Sequence, residues 1–161
     1  MKTLIVYYSL EGNTKYTAEK IAERTGAELL RLEAEKAYPV GKVTKYFWGG
    51  KSAVMGETPK LKPYAVNLSE YDMIVFGTPV WASTYTPPLR SFIKEHKEEL
   101  LNKKIAFFAC SAGGSAEKCF ANLKEELGCK EVTATLRLTD PAWKQTDRNH
   151  IEIENFCQKI I

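Results

Sequence analysis

Short apolar runs alternate along the chain with longer segments whose apolar residues recur at the spacing of an amphipathic helix. Runs of strand length, rich in β-branched and aromatic residues, occur at 4–8, 28–33, 72–78, 104–110 and 131–138. Helical spacing is found at 14–25, 86–100, 115–127 and 147–160. Strands that are apolar throughout are typical of a parallel sheet covered on both faces, since right-handed crossovers place helices on either side. The pattern predicts an α/β fold, a three-layer sandwich that forms one domain over residues 1–161.

Residues 34–68 interrupt this alternation with several prolines and glycines. The stretch is too long for a simple connection, so we expect a helix around 42–54 flanked by loops. Between Lys36 and Pro63 it carries six lysines and one acidic residue, Glu57. This charge predicts either a solvated face or a docking surface for an anionic partner or cofactor.

Composition excludes several classes of protein. Hydrophobic residues at 44% and charged residues at 27% are ordinary for a globular protein. The apolar run at the amino terminus ends by Glu11, which argues against a signal peptide and a membrane span. The four cysteines are scattered without a Cys-x-x-Cys pair, so we expect no metal site and reduced thiols in a cytoplasmic protein. No arginine-rich stripe indicates nucleic-acid binding.

The loops that follow the strands are the expected position of a ligand, because open parallel sheets bind ligands beyond the carboxyl ends of their strands. The loop after the first strand consists of Ser9, Leu10, Glu11, Gly12, Asn13 and Thr14. Its hydroxyl and amide side chains, and the free N–H groups of the helix that begins here, are suited to a phosphate. The same residue types also form simple helix caps, and the loop by itself leaves both interpretations open.

Two further loops have the character of ligand-binding loops. Pro79, Val80, Trp81 and Ala82 follow the third strand, and Trp81 is either a platform for a planar ring or a residue that packs beneath its own loop. The loop after the fourth strand is formed by Cys110, Ser111, Ala112, Gly113 and Gly114. Its small residues expose backbone N–H groups to a flat ligand, although alone they would indicate only a tight turn.

Together the three loops resemble those of the flavodoxin family, above all in the Ser-x-Glu-Gly-Asn-Thr pattern at 9–14. The resemblance implies a five-stranded parallel sheet of order 2-1-3-4-5. It also implies an FMN cofactor, with its phosphate at 9–14, Trp81 against the ring, and 79–82 and 110–114 beside it. The implied activity is electron transfer to redox partner proteins or a small-molecule acceptor, with no catalytic side chain.

The sequence leaves two other functions open. One is an FMN-dependent NAD(P)H:quinone-type oxidoreductase, in which the lysine-rich stretch would recognise a nucleotide phosphate. The other is a flavin-free binding or regulatory domain on the same fold. Two features depart from the family: the net charge is +3 where flavodoxins are markedly acidic, and Ala82 and Ser83 stand where many flavodoxins have a glycine. The sequence is compatible with a monomer or a homodimer.

Overall fold

A parallel sheet forms the centre of the molecule. The computed structural model describes residues 1–40 and 49–161. The strands in this part of the chain are β1 (Thr3–Tyr7), β2 (Glu28–Arg31), β3 (Met73–Pro79), β4 (Lys104–Ser111) and β5 (Ala134–Thr139). They pair in parallel in the order β2-β1-β3-β4-β5. The predicted fold class and strand order are therefore confirmed.

Helices cover the two faces of this sheet. They are α1 (Asn13–Thr25), α2 (Gly50–Val54), α3 (Pro87–Glu95), α4 (Lys97–Leu100), α5 (Glu117–Leu127) and α6 (Asp147–Ile160), with a 3₁₀ turn at Leu68–Glu70. Among the residues that the structure describes, none of these helices has both the length and the apolar character that a bilayer crossing requires.

Consecutive residues of the central strands point to opposite faces, and each face has its own apolar cluster. On one face, Leu4, Val6 and Phe76 pack with buried residues of α3 and α5. On the other, Ile5 and Val75 pack with buried residues of α1 and α6. Because every residue of β1 is buried, a continuous apolar run is what this strand requires.

Four predicted elements differ from the structure, and one of them is the strand expected at 131–138, which runs from Ala134 to Thr139. The strand expected at 28–33 ends at Arg31 and lies at the edge of the sheet, largely exposed. The helix expected at 86–100 breaks at His96, whose φ of −108° is not helical. The imidazole of His96 lies 2.9 Å from the Tyr64 hydroxyl and 2.8 Å from the Glu99 carboxylate. These side-chain contacts hold His96 at the break.

Of the helix expected at 42–54, only Gly50–Val54 is seen, since residues 41–48 lie outside the described part.

The lysine-rich stretch folds back on the segment that precedes it. Ala34 and Leu61 form an antiparallel bridge, and this places Lys62 2.8 Å from Glu33 and Lys60 3.2 Å from Glu35. At these positions the positive charge is offset by neighbouring acids. Lys60 and Lys62 are therefore weak candidates for a docking surface.

Candidate functional site

A cavity of about 820 Å³ lies at the carboxyl-terminal edge of the sheet. Residues of all three predicted loops line it: Ser9, Leu10, Glu11, Asn13 and Thr14 from the first, Pro79, Val80 and Trp81 from the second, and Cys110, Ser111 and Ala112 from the third. The parallel sheet explains the convergence, because β1, β3 and β4 are neighbours and end on the same side.

The loop between β1 and α1 presents the amino end of a helix. Gly12 precedes the helix with a φ of 102°, and no side chain caps the helix. The Gly12 N–H donates to Ser9 Oγ over 3.2 Å, which fixes the bend. The first N–H groups of a helix have no partner within it, and with the helix dipole they favour an anion at this end. The loop is therefore arranged to donate hydrogen bonds to a phosphate rather than to cap itself.

The loop between β3 and α3 is closed at its base by buried threonines. The Thr86 N–H donates to Thr78 Oγ1 over 3.1 Å, and the Thr78 hydroxyl donates to the Pro79 carbonyl over 2.8 Å. The Val80 N–H donates to the Cys110 carbonyl over 3.0 Å, which ties this loop to the end of β4. A backbone hydrogen bond thus links the second loop to the third.

The tip of the same loop is a two-residue turn. Trp81 and Thr84 exchange backbone hydrogen bonds of 2.9 and 3.0 Å, and Ala82 and Ser83 between them have φ values of 48° and 62°. Both values lie in the left-handed region that favours glycine. At the positions where this chain departs from the family by lacking glycine, the backbone still adopts a glycine-like conformation.

Trp81 is buried, with 5% of its surface exposed. Its ring packs edge-on against Tyr8 and Tyr38, at centroid distances of 5.7 and 5.2 Å. Gly49 lies so close that a Cβ at that position would be 3.0 Å from Trp81 Cε3. Trp81 therefore lines the cavity as a buried ring held by its aromatic neighbours, and its role as a platform for a planar ligand stays a prediction.

Two polar atoms on the cavity wall lack a partner. Among the described residues, the buried side-chain atoms without a hydrogen bond are Trp81 Nε1 and Ser111 Oγ, and both residues line this cavity. A buried donor left unpaired costs about 1 to 3 kcal/mol, and native proteins rarely retain one without a reason. Both atoms belong to residues at the wall of this cavity, which makes them candidates for hydrogen bonds to a polar ligand.

Three residues of the cavity wall were not predicted from the sequence. The additional lining residues are Val40, Asp140 and Trp143. The loop that follows β5 is anchored by the Asp140 N–H, which donates to the Ser111 carbonyl over 3.0 Å, and by the Ala142 N–H, which donates to Asn13 Oδ1 over 3.0 Å. The signal in the sequence was the position of this loop after the fifth strand, where the rule about carboxyl ends applies as it does to the other loops.

Some predicted residues do not line the cavity. Gly12, Ala82, Gly113 and Gly114 are absent from its wall, although Gly12 shapes the first loop through its backbone. Gly113 and Gly114 are exposed, and the Gly114 carbonyl accepts a hydrogen bond from Arg137. Their role at the edge of a bound ring stays a prediction.

In the described part of the wall, the charged residues are acidic. Glu11 and Asp140 line the cavity, and no lysine, arginine or histidine of residues 1–40 and 49–161 does. Lys144 lies 3.4 Å from the Asp140 carboxylate. A phosphate in this cavity would therefore be held by N–H and O–H donors and by the end of α1.

The thiol in the cavity wall is not a nucleophile. Burial raises the pKa of Cys110 to about 12, against a smaller lowering by its contacts with Thr17 and Thr14. The thiol thus stays protonated at neutral pH. Within residues 1–40 and 49–161, no group of three or more histidine, cysteine or acidic side chains is arranged to hold a metal ion.

A ligand with a phosphate at one end and a flat, partly polar ring fits this set of residues. The helix end supplies donors for the phosphate. Val80, Trp81 and Ala112 supply apolar surface, and the two unpartnered polar atoms can bond to a ring edge. The cavity volume is in the ordinary range for small-molecule sites.

Solved structures of flavoproteins are similar to the chain. The chain is similar to a flavoprotein from Lactobacillus acidophilus NCFM solved in complex with FMN, at 26% identity over 88% of this chain and 94% of that one, with a TM-score of 0.74. A putative flavoprotein from Bacteroides eggerthii DSM 20697 is also 26% identical over 88% of this chain and 92% of its own, with a TM-score of 0.68.

A more distant similarity shows the fold alone. Two-electron reduced Megasphaera elsdenii flavodoxin is 18% identical over 98% of this chain and 96% of its own, with a TM-score of 0.64. No curated protein matches the chain significantly. The profile described as Flavodoxin matches residues 2–138. The chain therefore belongs to the flavodoxin family.

Proposed function

We propose that this protein binds one FMN in the cavity at the end of the sheet and works as an electron carrier. The observation that carries the proposal is the combination, around one cavity, of a helix end without a side-chain cap and two lining residues that each bury an unpartnered polar atom. The Lactobacillus acidophilus flavoprotein solved with FMN supports the choice of ligand. When bound, FMN supplies the redox chemistry, because its ring system accepts and releases electrons.

The first loop binds the phosphate in this proposal. The bend fixed by Gly12 and Ser9 directs the N–H groups of the first turn of α1 toward the cavity. Thr14, a residue only 1% exposed, lies in the same turn and offers a hydroxyl. Hydrogen bonds to a charged group contribute about 1.5 to 3 kcal/mol each, so several neutral donors can hold a phosphate without a lysine or arginine.

The second and third loops hold the ring system and exclude water. Trp81 is fixed by its aromatic neighbours and by the backbone pairing with Thr84. Its Nε1 and the Ser111 hydroxyl are available as donors to polar atoms of the ring. Such fixed donors orient the cofactor without reorganisation.

The described part of the wall favours a carrier over a turnover enzyme. Of residues 1–40 and 49–161, no histidine lines the cavity, and the Cys110 thiol, with its pKa raised to about 12, stays protonated. The reductase alternative relied on lysines that recognise a nucleotide phosphate, yet Lys60 and Lys62 are paired with Glu35 and Glu33. The acceptor in this proposal is a redox partner protein or a small molecule.

An absorption spectrum and a titration test the proposal. The purified protein, stripped of ligand and titrated with FMN, is expected to bind one equivalent and to show the visible bands of bound oxidised flavin. The loaded protein should be reduced by dithionite and reoxidised by an electron acceptor without loss of FMN. Failure to bind FMN would overturn the proposal.

Anaerobic mixing with NADH and NADPH separates the carrier from the reductase. A carrier is expected to keep its flavin oxidised over many minutes, since it has no site for the nicotinamide donor. Rapid bleaching of the flavin by either nucleotide would replace the electron-carrier role with the oxidoreductase, while leaving FMN binding in place.

A further inference from the structure

Trp143 is an exposed aromatic ring at the rim of the cavity. It is 75% exposed, and it is the one aromatic among the exposed large apolar side chains of residues 1–40 and 49–161. It lines the cavity beside Asp140. An indole combines an apolar body with an N–H donor, so at the edge of a ligand site it can cover and hydrogen-bond a bound ligand.

The backbone around Trp143 is fixed even though its side chain is free. The Trp143 and Lys144 N–H groups donate to the Asp140 carbonyl over 3.0 and 2.8 Å, and Asn149 Nδ2 donates to the Lys144 carbonyl over 2.8 Å. The left-handed φ of 41° at Asp140 turns the chain away from β5. The indole is therefore carried by an ordered turn at the rim of the cavity.

The position of this turn identifies the part of the cavity that Trp143 covers. The Ala142 N–H donates to Asn13 Oδ1 over 3.0 Å, and Asn13 is the first residue of α1. Trp143 is thus one residue from a direct bond to the helix end where the phosphate is proposed to bind. Trp81, which also lines the cavity, belongs to the loop that follows β3.

The charges at the proposed phosphate end of the cavity favour an uncharged covering residue such as Trp143. Among the residues that the structure describes, no lysine or arginine lines the cavity, whereas Glu11 and Asp140 do. A doubly charged phosphate held by neutral donors alone is bound more tightly when water is kept away, because hydrogen bonds strengthen in a low dielectric. An indole supplies both an apolar cover and an N–H donor without adding charge.

We propose that the Trp143 indole closes over the phosphate end of the bound cofactor and selects the phosphorylated flavin over its dephosphorylated form. The inference rests on the proposed function, since it requires FMN in the cavity. It assigns a specificity-determining role to the loop after β5.

Titrations with FMN and riboflavin, which lacks the phosphate, test this role. Trp143→Ala is expected to weaken FMN binding about tenfold, comparable to losing one hydrogen bond to a charged group, and to change riboflavin binding less than about twofold. Trp143→Phe keeps the apolar cover but lacks the N–H, so its FMN affinity should lie between wild type and Trp143→Ala. Ile151→Ala, at a 60% exposed position of α6 outside the cavity wall, is the matched control and should bind as wild type does.

Phosphorus NMR gives a second readout. If the indole covers the phosphate, aqueous Mn²⁺ should broaden the signal of bound FMN more in Trp143→Ala than in wild type. Equal losses for FMN and riboflavin would overturn the inference by placing the indole on the ring. Unchanged FMN affinity in Trp143→Ala would overturn it while the proposed function stands. A wild-type protein that binds neither flavin would overturn the proposed function and, with it, this inference.

Discussion

The ring of Phe108 fills the space above Gly77, its partner on the adjacent strand. A Cβ built on Gly77 would lie 2.1 Å from Phe108 Cζ, a distance that no packing adjustment of a buried ring accommodates easily. Gly77→Ala should therefore lower the free energy of unfolding by about 3 kcal/mol, the upper end of the usual cost of overpacking. Urea unfolding measures the change.

Gly113 provides the control for that substitution. It has no neighbouring atom within 4 Å of a built Cβ, and its φ is not in the left-handed region. Gly113→Ala should shift the free energy of unfolding by less than about 0.5 kcal/mol. Equal midpoints for the two variants would contradict the close packing of Gly77 against Phe108.

Substitution of the glycines at the two ends of α1 distinguishes an effect on FMN binding from an effect on stability. Gly12 at the amino end has a φ of 102°, Gly26 at the carboxyl end has a φ of 71°, and neither has an atom within 4 Å of a built Cβ. Alanine at either position should cost about 1 to 2 kcal/mol of stability through backbone strain alone. Only Gly12→Ala should also raise the FMN dissociation constant, by about tenfold, because it distorts the proposed phosphate loop.

Isothermal titration of both variants with FMN measures this difference. Gly26→Ala should retain wild-type affinity, since the carboxyl end of α1 lies away from the cavity wall. Loss of affinity in both variants would indicate a general effect of destabilisation and would remove the first loop from the proposed site.

The fold was predictable because its signals are local and repeated. The apolar runs at 4–8 and 104–110 correspond to β1 and β4 within one residue at each end, since strands buried on both faces need uniformly apolar residues. The break at His96 was not predictable, because apolar spacing continues through it. It coincides with contacts to Tyr64, a residue 32 positions earlier in the chain.

The candidate site was predictable to the extent that loop chemistry is visible in the sequence. Gly12 and its neighbours carry a recognisable pattern, but the Asp140 to Trp143 loop has no glycine pair or repeated hydroxyl to mark it. The burial of Trp81 depends on Tyr8, Tyr38 and Gly49, which come from separate parts of the chain. A single sequence does not show that these segments meet.

Because Trp81 Nε1 lacks a hydrogen-bond partner, we expect the effect of Trp81→Phe on stability to depend on whether FMN is bound. In the FMN-free protein, Trp81→Phe removes a buried orphan donor and also some apolar contact, and these effects oppose each other. With FMN bound, the variant should lose a hydrogen bond to the ligand as well. The increase in melting temperature caused by saturating FMN should therefore be smaller for Trp81→Phe than for wild type.

Thermal unfolding with and without FMN measures that increase. Ile151→Ala, outside the cavity wall, should show the full wild-type increase. An unchanged FMN-induced shift in Trp81→Phe would indicate that Nε1 makes no bond to the ligand.

The turn at Ala82 predicts a stabilising glycine substitution. Ala82 has a φ of 48°, a conformation that costs a residue with a Cβ about 1 to 2 kcal/mol. Glycine removes this strain but loses about 0.5 to 1 kcal/mol through the greater freedom of the unfolded chain. Ala82→Gly should therefore raise the free energy of unfolding by up to about 1 kcal/mol.

Ala112 is the matched control in a neighbouring loop. It is also exposed, and it is not among the described non-glycine residues with positive φ. Ala112→Gly should lower the free energy of unfolding by about 0.5 to 1 kcal/mol, because only the entropic cost applies. Effects of the same sign in urea unfolding would contradict a strained turn at Ala82.

The buried thiol of Cys119 predicts that the free energy of unfolding falls at alkaline pH. Burial raises its pKa from the ordinary value of 9.0 to about 12. Below pH 9 both states keep the proton, whereas between pH 9 and about 12 the unfolded chain loses it and the folded chain does not. The unfolded state then binds fewer protons, so the free energy of unfolding should fall as pH rises, by about 1.4 kcal/mol per pH unit for this thiol.

Urea unfolding under reducing conditions above pH 9 should give a shallower decline for Cys119→Ala than for wild type. Leu123→Ala, at a fully buried position in the same core cluster, should lower stability equally at every pH and keep the wild-type slope. Identical slopes in wild type and Cys119→Ala would show that this thiol is not shielded from water.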